Sequence, residues 1–202
     1  MSYSAKFELG EMKVKILFTL FGVALAQSQI NAPRVATRRG IFIGRNEFAL
    51  DQRRPIYSFL GIKYAEMKER FTYPVIFEAS RLETRKADSE GPSCPQPFMR
   101  SSDYKEGECL HLSVWSPTIS SSSRLPVMIY LTGSLWTLDT PDMRTIAPGS
   151  LVSEKEILVV TVSSRLNVFG FLSLEYFGVP GNMGLLDIYF ALYWVRSVMS
   201  NT

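Results

Sequence analysis

Very few residues of this 202-residue chain could carry nucleophilic or metal chemistry. The sequence contains one histidine, His111, and two cysteines, Cys94 and Cys109. A structural zinc site usually needs four ligands, mostly cysteine and histidine. A zinc site built from these residue types alone is therefore excluded, and we expect neither a metal nor a cofactor. A Ser-His-Asp triad needs a histidine as its general base, so a triad within this chain would have to use His111.

The positions of His111 and of the serines do not favour catalysis. Apolar residues alternate with polar ones over residues 109–115, and His111 shares the polar side with Ser113. This alternation predicts a strand residue facing solvent or a polar neighbour. The serines at 120–123 are interpreted as an exposed turn and those at 163–164 as the end of a strand. None of them lies in a G-x-S-x-G nucleophile elbow, so we predict no catalytic residue within the chain.

The segments around these residues predict a sheet with helices. Two short β-type runs separated by turn residues within 35–62 predict an antiparallel hairpin or meander. Residues 68–108 are polar and proline-rich and are expected to be mostly irregular. The near-continuous apolar runs 125–131 and 157–162 predict strands buried on both faces of a mostly parallel sheet. Apolar residues at helical spacing predict a helix over 185–198, and the whole order is typical of the α/β class.

Composition and charge are those of a globular protein without a basic patch. Apolar residues make up 46% of the chain and charged residues 20%, and 22 basic residues against 19 acidic ones leave a net charge of +3. A nucleic-acid-binding protein is expected to cluster its Lys and Arg. The densest basic stretch is diluted by apolar and acidic residues, so we predict no nucleic-acid partner. Its members are Arg34, Arg38, Arg39, Arg45, Arg53 and Arg54.

The amino terminus has the pattern of a secretory signal peptide. Lys13 and Lys15 precede an apolar run over 16–26, which ends in the small-x-small site Ala24-Leu25-Ala26. The alternatives are a short buried helix or a membrane anchor, but a transmembrane helix needs about 20 apolar residues. We predict cleavage between Ala26 and Gln27, with signal peptide 1–26 and a secreted domain 27–202.

Two further expectations follow from this amino terminus. Met12 stands at the ideal start of the signal, so residues 1–11 are interpreted as an upstream extension of the reading frame. No other apolar run in the chain reaches membrane-spanning length, so we expect no second membrane segment.

Export also changes the interpretation of the two cysteines. In an oxidising compartment Cys94 and Cys109 are expected to pair, and the alternative is two buried thiols. In the chain-entropy model, closing a loop of this length stabilises the fold by about 3 kcal/mol.

Six segments of the chain, in order, resemble one known family. From about residue 35 to residue 198 the chain is similar to the amino-terminal part of the type-B carboxylesterases and cholinesterases. The segments are FLGIKYAE (59–66), GPSCPQ (91–96), ECLHLSV (108–114), LPVMIY (125–130), RLNVFGFLS (165–173) and GNMGLLD (181–187), the last followed by Ala191, Leu192, Trp194 and Val195. The resemblance implies an α/β-hydrolase fold, of which this chain would be the amino-terminal portion. It also implies a disulfide between Cys94 and Cys109.

The resemblance places a degenerate oxyanion loop after the strand at 125–131. Where the family has HGGGF, this chain has Thr132, Gly133, Ser134, Leu135 and Trp136. In the family the backbone N–H groups of this loop stabilise the developing oxyanion. Glycine is used where φ must be positive or where the backbone must approach closely, so the equivalents Gly133, Ser134 and Leu135 are expected to be poor donors. The family's nucleophile, acid and catalytic histidine have no counterpart among the 202 residues.

Other departures from the family pattern point in the same direction. They are Lys63, Gly107, Ser163, Ser164 and Ile188.

Three functions remain open at this stage. The first is a secreted, catalytically inactive protein that binds an extracellular protein partner, as the neuroligin, neurotactin, gliotactin and glutactin members of the family do. The second is an incomplete chain of a secreted carboxylic ester hydrolase that acts on hydrophobic esters. The third is a truncated product without a stable function, because a sheet that stops before its nucleophile strand would expose an apolar edge.

Overall fold

The computed structural model describes residues 32–48, 54–97, 107–131, 136–138 and 148–199. The signal peptide with its cleavage site, Ala26 and Gln27, and the oxyanion-loop equivalents Gly133, Ser134 and Leu135 lie outside these residues. The described elements from Pro33 onward belong to one compact unit.

Twelve strands and three α-helices are described in these residues. The strands are β1 (Arg34–Thr37), β2 (Gly40–Ile43), β3 (Arg45–Phe48), β4 (Pro55–Lys63), β5 (Ala65–Glu66), β6 (Val75–Ile76), β7 (Thr84–Lys86), β8 (His111–Ser116), β9 (Val127–Leu131), β10 (Leu158–Val162), β11 (Ser173–Leu174) and β12 (Val179–Pro180). The helices are α1 (Pro148–Lys155), α2 (Asn167–Phe171) and α3 (Met183–Met199), and a 3-10 turn spans Glu175–Phe177.

The two β-type runs that predict a hairpin or meander form the strands β2 and β4, but these strands do not pair with each other and belong to different sheets, so each finds its antiparallel partner in a neighbouring segment. β1 and β2 form a hairpin, which β7 extends in parallel into a three-stranded sheet. β3 and β4 pair antiparallel at one side of a five-stranded sheet with the order β3-β4-β8-β10-β9. Of the segment 68–108, residues 68–97 and 107–108 are described, and they are mostly irregular, as expected, apart from the short strands β6 and β7 and single bridges such as that at Asp88.

The two apolar runs for which the sequence predicts a place in a parallel sheet form β9 and β10, and these two strands are parallel. In the five-stranded sheet only β9 and β10 are parallel, and the other three pairs are antiparallel. β4 and β8 are largely buried and apolar, and both run antiparallel to their neighbours. The apolar composition of a strand indicates that the strand is buried, but it does not by itself indicate whether the strand pairs parallel or antiparallel with its neighbours.

The two near-continuous apolar strands differ in burial. β10 is buried along four of its five residues because it lies between β8 and β9. β9 is largely exposed, with Val127, Met128, Tyr130 and Leu131 all accessible, so the prediction that β9 is buried on both faces is wrong for the described residues. β9 occupies the edge of the five-stranded sheet, where it has one neighbouring strand.

Helices cover both faces of the sheet and bury its core. α3 packs Ala191, Trp194 and Val195 in one cluster with β8 and β10 residues such as Leu112 and Val160. α1 places Val152 in a second cluster with Ile56, Trp115 and Val159. Successive strand residues point to opposite faces, so α1 and α3 lie on opposite sides. None of the described helices is both long and apolar enough to cross a membrane.

Candidate functional site

The carboxyl ends of β9 and β10 meet at one edge of the sheet. The two strands are parallel, and Leu131 at the end of β9 is paired with Val162 at the end of β10. In open α/β sheets, ligands bind in the crevice outside the carboxyl ends of the strands. We therefore take this carboxyl edge, with the segments that follow β9 and β10, as the candidate functional site.

After β10 the chain is held by a buried ion pair. The Arg165 guanidinium donates from Nε and Nη2 to the two carboxylate oxygens of Asp187, at 2.8 and 2.7 Å, and the Arg165 backbone N–H donates to the same carboxylate at 3.0 Å. The remaining nitrogen, Nη1, donates to the carbonyl oxygen of Thr72 at 2.7 Å. Burial raises the pKa of Asp187, while the hydrogen bonds and charge of Arg165 act in the opposite direction. The pair fastens the β10 carboxyl end to α3.

Two glycines allow this close packing around Arg165. A Cβ at Gly170 or at Gly184 would lie 2.5 Å from the Arg165 carbonyl oxygen. A side chain at either position would force the α2 and α3 backbones away from the loop that carries Arg165. The position of the ion pair thus depends on small residues in α2 and α3.

Of the five residues that stand where the family has HGGGF, only Trp136 is described. Trp136 has a positive φ of 59°, and its carbonyl oxygen accepts a hydrogen bond of 2.7 Å from the backbone N–H of Asn167. Its ring packs edge-on against Phe171, with 5.4 Å between the ring centroids. The positive φ is uncommon for a bulky residue, so these contacts hold Trp136 in a backbone conformation that favours glycine.

Asn167 connects three segments at the carboxyl edge. Its side-chain Nδ2 donates to the Pro95 carbonyl oxygen at 3.1 Å, and its Oδ1 accepts from the Phe169 N–H at 3.2 Å. With the bond to Trp136, it joins the segment after β9, the start of α2 and the segment that contains Cys94. Asn167 lies in the family-like segment 165–173, and nothing local in the sequence signals these long-range contacts.

The carboxyl edge presents an aromatic and apolar surface. Phe71 and Phe169 stack with their centroids 5.9 Å apart and their planes at 6°, and the Arg70 guanidinium lies 5.6 Å from the Phe169 ring centroid. Trp136 remains 46% exposed and Val168 49% exposed.

Cys94 and Cys109 are joined by a disulfide, which confirms their predicted pairing. Both half-cystines are buried in the main core, with 4.9 Å between their Cα atoms. The bridge holds the segment before Pro95 against the start of β8. It therefore supports the Asn167 side chain indirectly, through the Pro95 carbonyl that accepts its hydrogen bond.

His111 is the first residue of β8, as the alternation predicted. Its carbonyl oxygen accepts the backbone N–H of Ser163, so it lies beside the carboxyl end of β10. Its ring packs against Gly91, where a Cβ would lie 2.5 Å from the imidazole Cγ, and its Nδ1 has no hydrogen-bond partner among the described residues. Burial, with a smaller contribution from Lys63, lowers the pKa of His111 to about 4. The ring is a packed, neutral group rather than one oriented for proton transfer.

The serines considered as nucleophiles have structural contacts. The Ser163 carbonyl oxygen accepts a 2.8 Å hydrogen bond from the Tyr64 hydroxyl, and Ser163 follows directly on β10. The hydroxyls of Ser120 and Ser122 lie 2.8 Å apart within an exposed turn. Both segments agree with their interpretation as a strand end and a turn. Within the described ranges no group of three or more His, Cys, Asp or Glu side chains could hold a metal ion.

An apolar cavity of about 630 Å³ lies at the other edge of the sheet. Pro126, Val127 and Leu158, which line it, stand at the amino ends of β9 and β10. The cavity is therefore separate from the carboxyl edge, which carries Trp136 and Arg165.

A sheet with helices on both faces is the arrangement of an α/β protein. The carboxylesterase family model matches residues 31–201, and the chain belongs to this family.

Known relatives support the same membership. The chain is 32% identical over 183 residues to acetylcholinesterase-1 of Trittame loki, covering 84% of this chain and 32% of that protein. It is 30% identical to carboxylesterase 3B of Mus musculus (91% of this chain, 34% of that protein). It is 32% identical to the juvenile hormone esterase of Tribolium castaneum (81% and 28%). The chain spans about a third of the length of these relatives.

Proposed function

We propose that the protein is a secreted member of the carboxylesterase family that binds an extracellular protein partner and does not hydrolyse esters. The proposal depends on one observation, the sequence of the loop after β9, where Ser134 and Leu135 stand in place of two family glycines. An oxyanion hole depends on backbone N–H groups placed in advance around the developing charge. Ser and Leu resist the backbone conformations that glycine adopts freely, and both are bulkier than the glycines they replace.

The neighbouring residue supports this proposal. Trp136 has a positive φ, and its hydrogen bond with Asn167 and its contact with Phe171 fix it at the end of the loop. A loop that ends on a fixed, bulky and half-exposed aromatic ring suits contact with an apolar surface of another protein. Tryptophan is enriched among the residues that dominate binding energy at protein interfaces.

The type of partner follows from the same surface. Trp136 and Val168 are both exposed at the carboxyl edge, where Trp136 contacts Phe171 and accepts a hydrogen bond from Asn167, the residue before Val168 in the chain. We propose a protein partner with a complementary apolar patch, as for the neuroligin-like and glutactin-like members of the family. The predicted signal peptide supports an extracellular location for this contact.

Ester hydrolysis is the second candidate function. Its support is that the relatives include proteins named as acetylcholinesterase, carboxylesterase and juvenile hormone esterase. The disulfide and the Arg165–Asp187 pair also hold the segments beside the carboxyl edge in place, as a catalytic site there would require. In this alternative, hydrophobic esters are the substrates, and further sequence supplies the nucleophile.

The test of inactivity uses the natural secreted product. It is assayed with an activated aryl ester and with a covalent serine-hydrolase probe, with mouse carboxylesterase 3B as the active control. We expect no turnover above a heat-denatured sample and no labelled serine. Because loss of one oxyanion donor costs about 10²–10³ in rate, turnover near that of the control, or stoichiometric labelling of one serine, would establish ester hydrolysis instead.

The test of partner binding compares two aromatic substitutions. The labelled protein is applied to cells whose surface it binds, and Trp136→Ser is compared with Tyr176→Ser. Tyr176 is 94% exposed in the 3-10 turn, and its ring contacts Phe177 whereas that of Trp136 contacts Phe171, so it is a matched control. We expect Trp136→Ser to weaken binding at least about tenfold, as a buried interface aromatic would. Equal binding by the two folded variants would exclude this surface as the contact.

A further inference from the structure

Four arginines from separate parts of the chain surround one cleft. The cleft has a volume of about 610 Å³ and lies between the β1–β2 turn, the segment at 78–81 and α3. We call it the arginine cleft and define it by Arg38, Arg39, Arg81 and Arg196, with Glu78 and Tyr193 also in its wall. Its volume is within the range of known ligand sites, which is about 300–1,000 Å³.

The positive charge of the arginine cleft is not neutralised by the described part of the protein. The residues that line it include four arginines and one acidic residue, Glu78. Among the ion pairs between described residues, none includes Arg38, Arg39, Arg81 or Arg196. Like charges gathered in one concave site repel each other and raise the local positive potential. An anion bound in the cleft would relieve that repulsion.

Neighbouring contacts hold the cleft in shape. The Arg39 guanidinium lies 5.8 Å from the centroid of the Tyr193 ring on α3. The carbonyl oxygen of Arg39 accepts a 2.7 Å hydrogen bond from Arg85, whose guanidinium lies over the ring of Phe42 in the core. The β1–β2 turn is thereby fixed relative to β7 and α3, and less side-chain freedom is lost on binding than for arginines on a loose loop.

We propose that the arginine cleft binds a sulfated glycan chain outside the cell. A guanidinium group presents a planar fork of donors that matches the oxygens of a tetrahedral oxyanion. The arginines that line the cleft come from three segments of the chain, so several sulfate groups of one glycan can be bound at once. The extracellular source of the glycan rests on the export included in the proposed function, while the attraction of a polyanion rests on the positive charge of the cleft.

The experiment measures binding of a fully sulfated heparin decasaccharide to the secreted protein at 0.15 M NaCl. The cleft variant is Arg81→Ser/Arg196→Ser. The control is Arg54→Ser/Arg124→Ser, which removes the same formal charge at exposed arginines outside the cleft. Because each lost contact with a polyanion reduces counterion release, we expect the cleft variant to bind at least about tenfold more weakly, with a salt slope lower by about two. The control is expected to stay within about twofold of the natural sequence, since it loses only distant charge.

Three outcomes would overturn the proposal. The first is the absence of decasaccharide binding at 0.15 M NaCl, and the second is an equal loss of affinity in the cleft and control variants. The third is equal binding of unsulfated hyaluronan or of single-stranded DNA, which would show a general attraction of polyanions. The assay requires neither ester hydrolysis nor a protein partner, so its failure can be distinguished from failure of the proposed function.

Discussion

Arg165 and Asp187 form a fully enclosed ion pair, in which the two side chains are 2% and 0% exposed and their closest atoms are 2.7 Å apart. The arginine lies in the loop after β10 and the aspartate in the first half of α3. Since each charge is removed from water, each depends on the other for its solvation. The pair thereby couples the carboxyl edge of the sheet to the helix that covers it.

We predict that Asp187→Asn strongly destabilises the protein. The substitution keeps the shape of the side chain but leaves the Arg165 charge buried without a counter-charge, which typically costs about 3–5 kcal/mol. Urea unfolding monitored by circular dichroism measures the change. Glu156→Gln is the control, because it breaks the exposed ion pair with Arg54 and should cost less than about 1 kcal/mol. Similar losses in both variants would contradict this account of the buried pair.

The disulfide is expected to contribute substantially to stability. Cys94→Ala/Cys109→Ala removes the bridge without leaving a free thiol in the core, and we expect a loss of about 3 kcal/mol from the loop it closes. Peptide mapping without reduction should give one linked Cys94–Cys109 pair. Two thiols that can be alkylated in the folded, exported protein would contradict the bridge.

Stability is predicted to fall with decreasing pH because of His111. Its pKa is about 4 in the folded protein, against about 6.5 for an unfolded chain, so the unfolded state binds more protons between these values. The stabilisation associated with neutral His111 is complete above pH 6.5 and is lost as the pH falls towards 4. Between pH 7.5 and 5.0 this amounts to at most about 2 kcal/mol.

Urea unfolding of His111→Gln at both pH values checks this prediction. His111 is the single histidine of the chain, so the variant should lose most of the pH dependence in this range. The nearby charges of Lys63 and Glu108 stay unchanged in the variant and serve as the internal control. An equal pH dependence in the two proteins would exclude His111 as its source.

The exposed edge strand β9 is predicted to promote self-association of residues 27–202. An edge strand with accessible apolar side chains presents unpaired backbone groups to other chains, and a lysine on such an edge opposes that pairing. We therefore expect Tyr130→Lys to raise the protein concentration at which light scattering appears. Tyr189→Lys makes the same change at an exposed position of α3 and should have little effect. An equal gain in solubility from both would indicate an effect of charge alone.

Secretion with cleavage after Ala26 remains a prediction of the sequence. Lys13, Lys15 and the apolar run before the small-x-small site have the organisation of a signal peptide. Amino-terminal sequencing of the protein from culture medium should begin at Gln27, in open or cyclised form. Retention in the cytosol with Met1 intact would contradict it.

The sequence alone was sufficient for features that depend on neighbouring residues in the chain. The alternation around His111 predicted β8, and helical spacing predicted residues 185–198 within α3, which extends one to two residues further at each end. The six family-like segments predicted the carboxylesterase family, which the match over residues 31–201 confirms. These signals are local, because periodicity and short motifs involve residues that are close together in the sequence.

Tertiary structure decided the features that depend on which segments become neighbours. The apolar runs of β9 and β10 look alike in the sequence, yet β10 is buried between two strands while β9 is exposed at the edge of the described sheet. Arg165 belonged to a recognised motif, but its burial depends on Asp187 and on the carbonyl of Thr72. The arginine cleft joins Arg39 to Arg81 and Arg196, whose separation along the chain conceals their proximity. Burial and the clustering of charges depend on residues that lie far apart in the sequence. Only the folded chain brings such residues together.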